Sequence, residues 1–331
     1  MGETSAVVVT GATGHIGNVL VRELLSRDEN VRVLIPPFED TASLDGLKVE
    51  KVEGDVLKVD SLVGAFREAD VVYHLAGIVS ILPGKSDLLY QVNVAGTRNV
   101  AEACLKSGVR RLVYTSSIHA IAQPPHGTVT DETLPFDPDS SAGEYDRSKA
   151  RATLEVLKVV EQGLDARVVC PTGVIGPYDF RPSEMGQLFR DFAKGKLKAY
   201  IDGAHDFVDV RDVALGHILA CQKGRSGESY ILSGERIAID DLMSMLEEIT
   251  GVRAPRVKIP IWLAETVATF SPLYHRLTET RPLFTKYSIR TLTSSSVVSR
   301  EKSRRELGYS PRPIRESVAD TLRWFEEKGM L

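Results

Sequence analysis

The sequence predicts an α/β fold: a doubly wound parallel sheet with helices on both faces and a smaller C-terminal lobe. Three observations carry this. Short apolar runs alternate strictly with longer amphipathic stretches over about 170 residues. The first run, Ala6–Thr10, is rich in valine and leads straight into glycines at 11, 14 and 17, as a buried central strand feeding a helix does. After Pro171 the alternation degrades into helix and loop punctuated by proline.

Taken in order, Ala6–Thr10 is strand one, and Asn18–Ser26 continues the helix that starts in the glycine turn. Val31–Ile35 is strand two, and Val49–Glu53 is strand three, ending at Gly54-Asp55-Val56. Asp60–Arg67 is a short helix opening on Asp60-Ser61, a favourable N-cap pair. Val71–Leu75 is strand four, and Leu88–Ser107 is a long helix closed by Gly108. Arg111–Tyr114 is strand five, Tyr145–Gln162 a second long helix, and Ala166–Cys170 strand six, broken at Pro171. A helix near Met185–Lys194 and a β-like Phe207–Val210 follow. A helix at Val213–Gln222 and a strand at Ser229–Leu232 read as returns to the sheet. From about Arg236 the chain reads as helix and loop, with prolines at 255, 260, 272, 282, 311 and 313. Residues 1–175 with about 205–235 are expected to form the sheet domain, and about 176–204 with 236–331 the lobe.

Bulk properties narrow the function. With 331 residues, 43% hydrophobic and 26% charged, the chain can bury a large core. A net charge of −4 gives no basic surplus for nucleic acid. The short Arg300–Arg305 run reads as a solvated helix face. Cys104, Cys170 and Cys221 are odd in number and far apart, so a reducing, cytoplasmic setting is expected rather than a disulfide framework. The chain enters strand one within about six residues, without the charged and apolar regions of a signal peptide. No run reaches the roughly 18 apolar residues of a membrane span; Ile259–Phe270 is short and interrupted by Glu265. The seven histidines show no metal-ligand spacing, so no metal site is expected.

Two constellations carry chemistry. At the glycine turn, Gly11 permits the bend, Gly14 lets backbone approach a pyrophosphate, and Gly17 lets the helix pack closely on the sheet. Free N–H groups at the helix start favour phosphate. Thr13, His15 and Ile16 share this turn and are expected to join the glycines in holding a dinucleotide. The spacing is G-x-x-G-x-x-G rather than G-x-G-x-x-G. In the second constellation, Tyr145 and Lys149 stand four apart on one helical face. A phenol titrates near pH 10, about three units above neutrality. A neighbouring ammonium is expected to lower it, and an oxidised nicotinamide to lower it further, so that the hydroxyl exchanges a proton with an alcohol. An exposed surface pair is the competing reading. Strand five ends in Thr115-Ser116-Ser117, whose hydroxyls either face the ligand crevice or serve as local caps.

Gly11, Gly14 and Gly17, then Ser117, then Tyr145-x-x-x-Lys149 resemble, in that order, the extended short-chain dehydrogenase/reductase superfamily, that of NAD-dependent epimerases and dehydratases. The resemblance covers nearly the whole chain and implies a Rossmann domain with a substrate lobe. It implies catalytic roles for Ser117, Tyr145 and Lys149, with Ser116 as the fallback hydroxyl. It places Asp55 and Val56 by the adenine, and Leu75, Ala76 and Gly77 by the nicotinamide ribose. It also assigns Thr115, Tyr145, Lys149, Pro171, Gly173 and Val174 to the cofactor, and gives Asn93 a structural role.

Departures refine the resemblance. Sugar dehydratases place Asp-Glu after the catalytic hydroxyl, but here Ser117 is followed by Ile118-His119-Ala120. Sugar epimerases carry an arginine before the Asp-Phe-Val segment, where this chain has His205. What remains resembles the dihydroflavonol-reductase-like and 3β-hydroxysteroid-dehydrogenase-like branch, through Gly195–Asp202, Ser233-Gly234-Glu235 and the apolar Pro260–Phe270. The expected activity is hydride transfer between nicotinamide and a secondary alcohol or ketone of an apolar, often polycyclic, small molecule. The alternatives are a nucleotide-sugar epimerase with tightly bound NAD and a redox-sensing regulator; the presence of both Tyr145 and Lys149 argues against the latter. After strand two stand Pro36-Pro37-Phe38-Glu39-Asp40, two acids with no cation expected near them. This favours NAD, with NADP as the alternative. His119, Tyr178 and Phe180 are candidate pocket residues. A homodimer is expected through Leu88–Ser107 and Tyr145–Gln162, with Leu154, Leu157 and Val160 either at that face or in the core.

Overall fold

In the computed structural model, residues 5–79, 86–125, 127–264, 266, 289 and 297–331 are described. Seven parallel strands form the main sheet: β1 (Ala6–Thr10), β2 (Val31–Ile35), β3 (Glu50–Glu53), β4 (Ala69–His74), β5 (Arg111–Thr115), β7 (Ala166–Pro171) and β11 (Ser229–Leu232). Their order is β3-β2-β1-β4-β5-β7-β11. The chain reverses direction across the sheet between β1 and β4, and ligands of such folds bind at the carboxyl ends beside that reversal. The pairs Val9↔Val33 and Val9↔Tyr73 seat β1 at the centre.

Helices cover both faces. Against one lie α1 (His15–Leu25) and α7 (Val210–Lys223), burying Leu20, Val21, Val213 and Ile218 with Val7 and Val9. Against the other lie α2 (Val59–Ala65), α4 (Gly96–Lys106) and α5 (Glu144–Val160), burying Leu62, Val100, Val156 and Leu112. A short α3 (Ser86–Leu89) precedes α4, joined to it by a π-helical turn at Tyr90–Ala95. Sequence periodicity treats this stretch as one helix.

A third apolar cluster joins α6 (Glu184–Ala193), α8 (Ile239–Thr250) and α9 (Ile314–Glu327) around Phe189, Leu242, Leu246 and Phe325. A three-stranded sheet borders it: β8 (Gly173–Ile175), β10 (Ala204–Asp209) and β12 (Glu235–Ala238). β10 is shared, since Phe207 packs into this cluster while Val208 packs into the main one. Two small ladders complete the fold: β6 (Val129–Thr130) with β14 (Val297–Val298), and β9 (Ala199–Ile201) with β13 (Val257–Ile259).

Several element expectations need correction. Pro171 does not break its strand; it ends β7 opposite Leu232, a terminal position where the missing N–H is tolerated. The next residue, Thr172, turns the chain into β8. Asp60 is not the cap of α2. Lys58 N–H bonds to the Asp55 carbonyl at 2.8 Å, starting the turn early, and Lys58 becomes the N-cap without a side-chain bond. Among the described residues from Glu235 onward there are three short strands as well as helix and loop. Ladders of two to four residues are too short to show a period of two. Of the apolar segment up to Phe270, residue 265 and residues 267–270 lie outside the described residues, as do Pro272 and Pro282.

Candidate active site

The carboxyl ends of β1, β4, β5 and β7 meet in a cavity of about 380 Å³. At one end is the glycine turn. Gly11 sits at φ +71°, and a Cβ there would lie 2.6 Å from the Ala76 nitrogen. A Cβ on Gly17 would overlap the Gly11 carbonyl. A Cβ on Gly14 would meet only the Gly11 carbonyl oxygen, at 3.3 Å, and Gly14 lines the cavity. The first turn of α1 has no acidic residue, and its Gly14 N-cap supplies no side-chain acceptor. Its leading N–H groups are thus left for an anion. The cradle fits a diphosphate.

The turn is fixed to its neighbours. Thr10 Oγ1 accepts from Ala76 N–H at 3.1 Å and meets His74 Nδ1 at 2.7 Å. His74 Nε2 reaches Thr97 Oγ1 at 2.9 Å. Burial holds the His74 imidazole neutral, pushing it down to about 3. Asn93, in the π-helical turn, accepts from Ile78 N–H at 2.7 Å and donates to the Ile78 carbonyl at 2.9 Å and Ser148 Oγ at 3.0 Å. It therefore anchors both the Leu75–Ile78 loop and the start of α5.

Tyr145, Lys149 and Ser117 line the other end of the same cavity. Ser117 Oγ accepts from His119 N–H at 3.2 Å and stands near enough to the Tyr145 phenol to favour its ionised form. Ser116 instead bonds Thr153 Oγ1 at 2.7 Å, so Ser117 is the hydroxyl that faces Tyr145. Lys149 Nζ donates to the Thr115 carbonyl at 2.5 Å and lies 4.9 Å from the centre of the Tyr114 ring. Burial pushes the Lys149 ammonium down to about 8. Burial also pushes the Tyr145 phenol up to about 12, partly offset by the neighbouring Ser117 hydroxyl. The expected lowering of Tyr145 by its neighbour is thus overridden, because desolvation of a phenolate outweighs an ammonium turned toward a carbonyl.

Other candidates are distributed unevenly. Leu75, Gly77, His15, Ile16, Thr115, Pro171, Thr172 and Val174 line the cavity, as does His119, whose ring lies 6.3 Å from that of Tyr145. The Thr115 hydroxyl is committed to His217 Nε2 at 2.7 Å, while His217 Nδ1 donates to the Val213 carbonyl. Gly173 does not face the cavity; its missing Cβ makes room for His205 and Phe207. Asp55 lies beyond β3, accepting from Leu57 N–H at 2.9 Å, and Val56 packs against Gly96. Thr13 Oγ1 donates to Glu39 at 2.9 Å. Tyr178 and Phe180 do not line the cavity; they pack on Trp324 at 5.9 and 5.0 Å. His205 is half-buried, and desolvation pushes it down to about 3; its ring is stacked 6.5 Å from that of His119.

One expectation about the cofactor end is overturned. The acids after β2 are not without a cation: Arg181 pairs with Glu39 and donates to the Asp40 carbonyl at 2.9 Å. Its distance in sequence hid it. His119, by contrast, was legible from its place two residues after Ser117.

The family model of the NAD-dependent epimerases and dehydratases matches residues 7–233, which contain this entire constellation. The chain belongs to the NAD-dependent epimerase/dehydratase family. It is 42% identical over 328 residues to sterol demethylase protein B of Methylococcus capsulatus, covering 98% of this chain and 99% of that protein. It is 31% identical to 3beta-hydroxysteroid-dehydrogenase/decarboxylase isoform 1 of Arabidopsis thaliana, covering 95% and 78% respectively. The crystal structure of gox2253 superposes with a TM-score of 0.87 at 35% identity, covering 99% of both chains. This family member is an NAD(P)-dependent oxidoreductase of the extended short-chain dehydrogenase/reductase type. No described helix is long and apolar enough to cross a membrane.

Proposed function

We propose that this enzyme interconverts a secondary alcohol and a ketone on an apolar, polycyclic substrate of the hydroxysteroid kind, using NAD. The observation that carries the reading is the meeting of Ser117, Tyr145 and Lys149 in the cavity that begins at the glycine cradle. The kinship with proteins named for sterols and 3β-hydroxysteroids supplies the substrate class. Ile78 and Val79 give part of the cavity wall an apolar surface.

Gly11, Gly14, Gly17, Thr13, His15 and Ile16 are suited to hold the diphosphate, and Leu75–Gly77, Pro171 and Val174 the nicotinamide side. The dinucleotide, when bound, supplies hydride exchange at nicotinamide C4 and, oxidised, a positive charge. Tyr145 Oη is the proton donor in reduction and the acceptor in oxidation. Ser117 Oγ holds the reacting oxygen and stabilises its negative charge. Lys149, fixed by the Thr115 carbonyl, keeps an ammonium behind Tyr145. As a phenol near 12, Tyr145 is ready to donate near neutrality, whereas acting as base requires added positive charge.

The epimerase alternative finds little support. The position that would anchor a sugar diphosphate carries the half-buried His205, which desolvation holds neutral. Glu39 and Asp40 beside the cradle favour a 2′-hydroxyl over a 2′-phosphate, hence NAD. The sheet domain, residues 1–175 with about 205–235, is assigned to the cofactor and the remainder to the substrate. Three buried free thiols suit a reducing, cytoplasmic setting. We further propose a homodimer through the α3–α4 and α5 faces, where Leu88 and Tyr90 are 44% and 50% exposed. Incubating the enzyme and NAD with hydroxysteroids or with nucleotide sugars tests the activity. NADH absorbance should rise with hydroxysteroids alone. Sugar epimerisation without net NADH would replace this reading.

A further inference from the structure

Beside the catalytic cavity lies a second, smaller one of about 60 Å³. His119 and Thr172 belong to both walls, so the two cavities adjoin there. A row of rings leads from one to the other: the His119 ring lies 6.3 Å from Tyr145, and His205 stacks on His119 at 6.5 Å. Arg236 lines the second cavity only, set there by the β10–β12 ladder, and its charge helps hold His205 neutral. It is the sole lysine or arginine among the described residues of that wall, and its side chain makes no ion pair or hydrogen bond with a described residue. The acid of the wall is already served. Asp206 Oδ1 accepts from Thr172 Oγ1 at 2.6 Å and from Gly234 N–H at 3.0 Å, and Arg300 supplies the positive charge beside it. An exposed arginine without a partner is ordinary; one at the end of a ring-lined row that begins at the reacting hydroxyl is placed to read a ligand.

We propose that Arg236 reads an anionic group at the far end of the substrate: the polycycle reaches from Tyr145 past His119, and a carboxylate at its distal end enters the second cavity against the guanidinium. The inference rests on the hydroxysteroid reading of the catalytic cavity and adds a charged end to that substrate. Size supports it. A water takes roughly 10–15 Å³ of such space, so the second cavity has room for a carboxylate and none for another ring. Position supports the far end over the reacting one, because Arg236 bears on His205, two ring-to-ring steps from Tyr145. A guanidinium suits a carboxylate, since its fork of N–H groups meets both oxygens. The neutral imidazole of His205 lets an apolar body pass without stripping water from a charge.

Initial rates with NAD test this, measured on a 3β-hydroxysteroid whose C17 side chain ends in a carboxylate and on its methyl ester. In the wild type kcat/KM should favour the acid about fivefold, the scale of one partly solvated ion pair. Arg236→Gln should bring that ratio to unity, with the loss carried by KM for the acid, and Arg236→Lys should keep part of it. Arg256→Gln, which removes an exposed cation outside both walls, should keep the wild-type ratio. Equal kcat/KM for acid and ester in the wild type, or a preference that survives Arg236→Gln, overturns the inference alone. Competitive inhibition by UDP that Arg236→Gln abolishes would assign the guanidinium to a nucleotide diphosphate and overturn it as well. Oxidation of neither steroid would overturn the hydroxysteroid reading and this inference with it.

Discussion

Burial sets the protonation of the groups around the reacting centre. It raises Tyr145 and lowers Lys149, so each favours its neutral form more than it would in water. The same physics acts on the histidines. His74, His205 and His217 are pushed down from 6.5 to about 3, about 3 and about 4, chiefly by burial. Their folded values lie below their unfolded ones, so as pH falls the unfolded chain takes up protons first. Stability from these neutral histidines is complete above about 6.5 and is lost as pH falls toward about 4 for His217 and about 3 for His74 and His205. Urea titrations should therefore give a lower midpoint at about pH 5 than at about pH 7.5. His217→Gln should flatten that dependence; equal slopes with and without His217 would contradict its part. At this scale the sequence was informative about groups with fixed spacing, such as Tyr145 and Lys149. It was silent on Arg181 because only the folded chain brings it to Glu39.

At the scale of elements, the cavity depends on joints between strand ends and helices. Thr10, His74 and Thr97 form one such joint, and Asn93 forms another. The π-helical turn at Tyr90–Ala95 carries Asn93, whose side chain meets Ile78 and Ser148. Asn93→Ala would leave the Ile78 N–H and carbonyl without this partner. It should cost about 1–3 kcal/mol by denaturant titration and weaken NADH binding, because Ile78 and Gly77 line the cavity. An unchanged midpoint would show that the joint is dispensable. The turn was invisible in sequence because Tyr90-Gln91-Val92-Asn93-Val94 is too short to reveal a slipped helical phase. The start of α2 was misplaced for a related reason: Asp60 has a capping side chain, but the backbone turn at Asp55–Lys58 begins the helix sooner.

For the whole molecule, the parallel sheet was legible because each buried strand is a compact apolar run ended by a turn residue. The chain outside that sheet was less so, since β8, β9, β12, β13 and β14 have two to four residues each. The dimer proposal belongs to this scale. Sedimentation should give twice the chain mass of 36.3 kDa, and Leu154→Glu on the outer face of α5 should shift the protein toward monomer. A wild type that sediments as a monomer at micromolar concentration would refute that assembly. The central claim is that one cavity delivers a hydroxysteroid and a nicotinamide to Tyr145. Its most direct test is the initial rate of NADH formation from a 3β-hydroxysteroid, with wild type and Tyr145→Phe compared at equal cofactor saturation. The account predicts a loss of about 10²–10⁴-fold in the variant, with NADH affinity retained; a variant that turns over at the wild-type rate would contradict it.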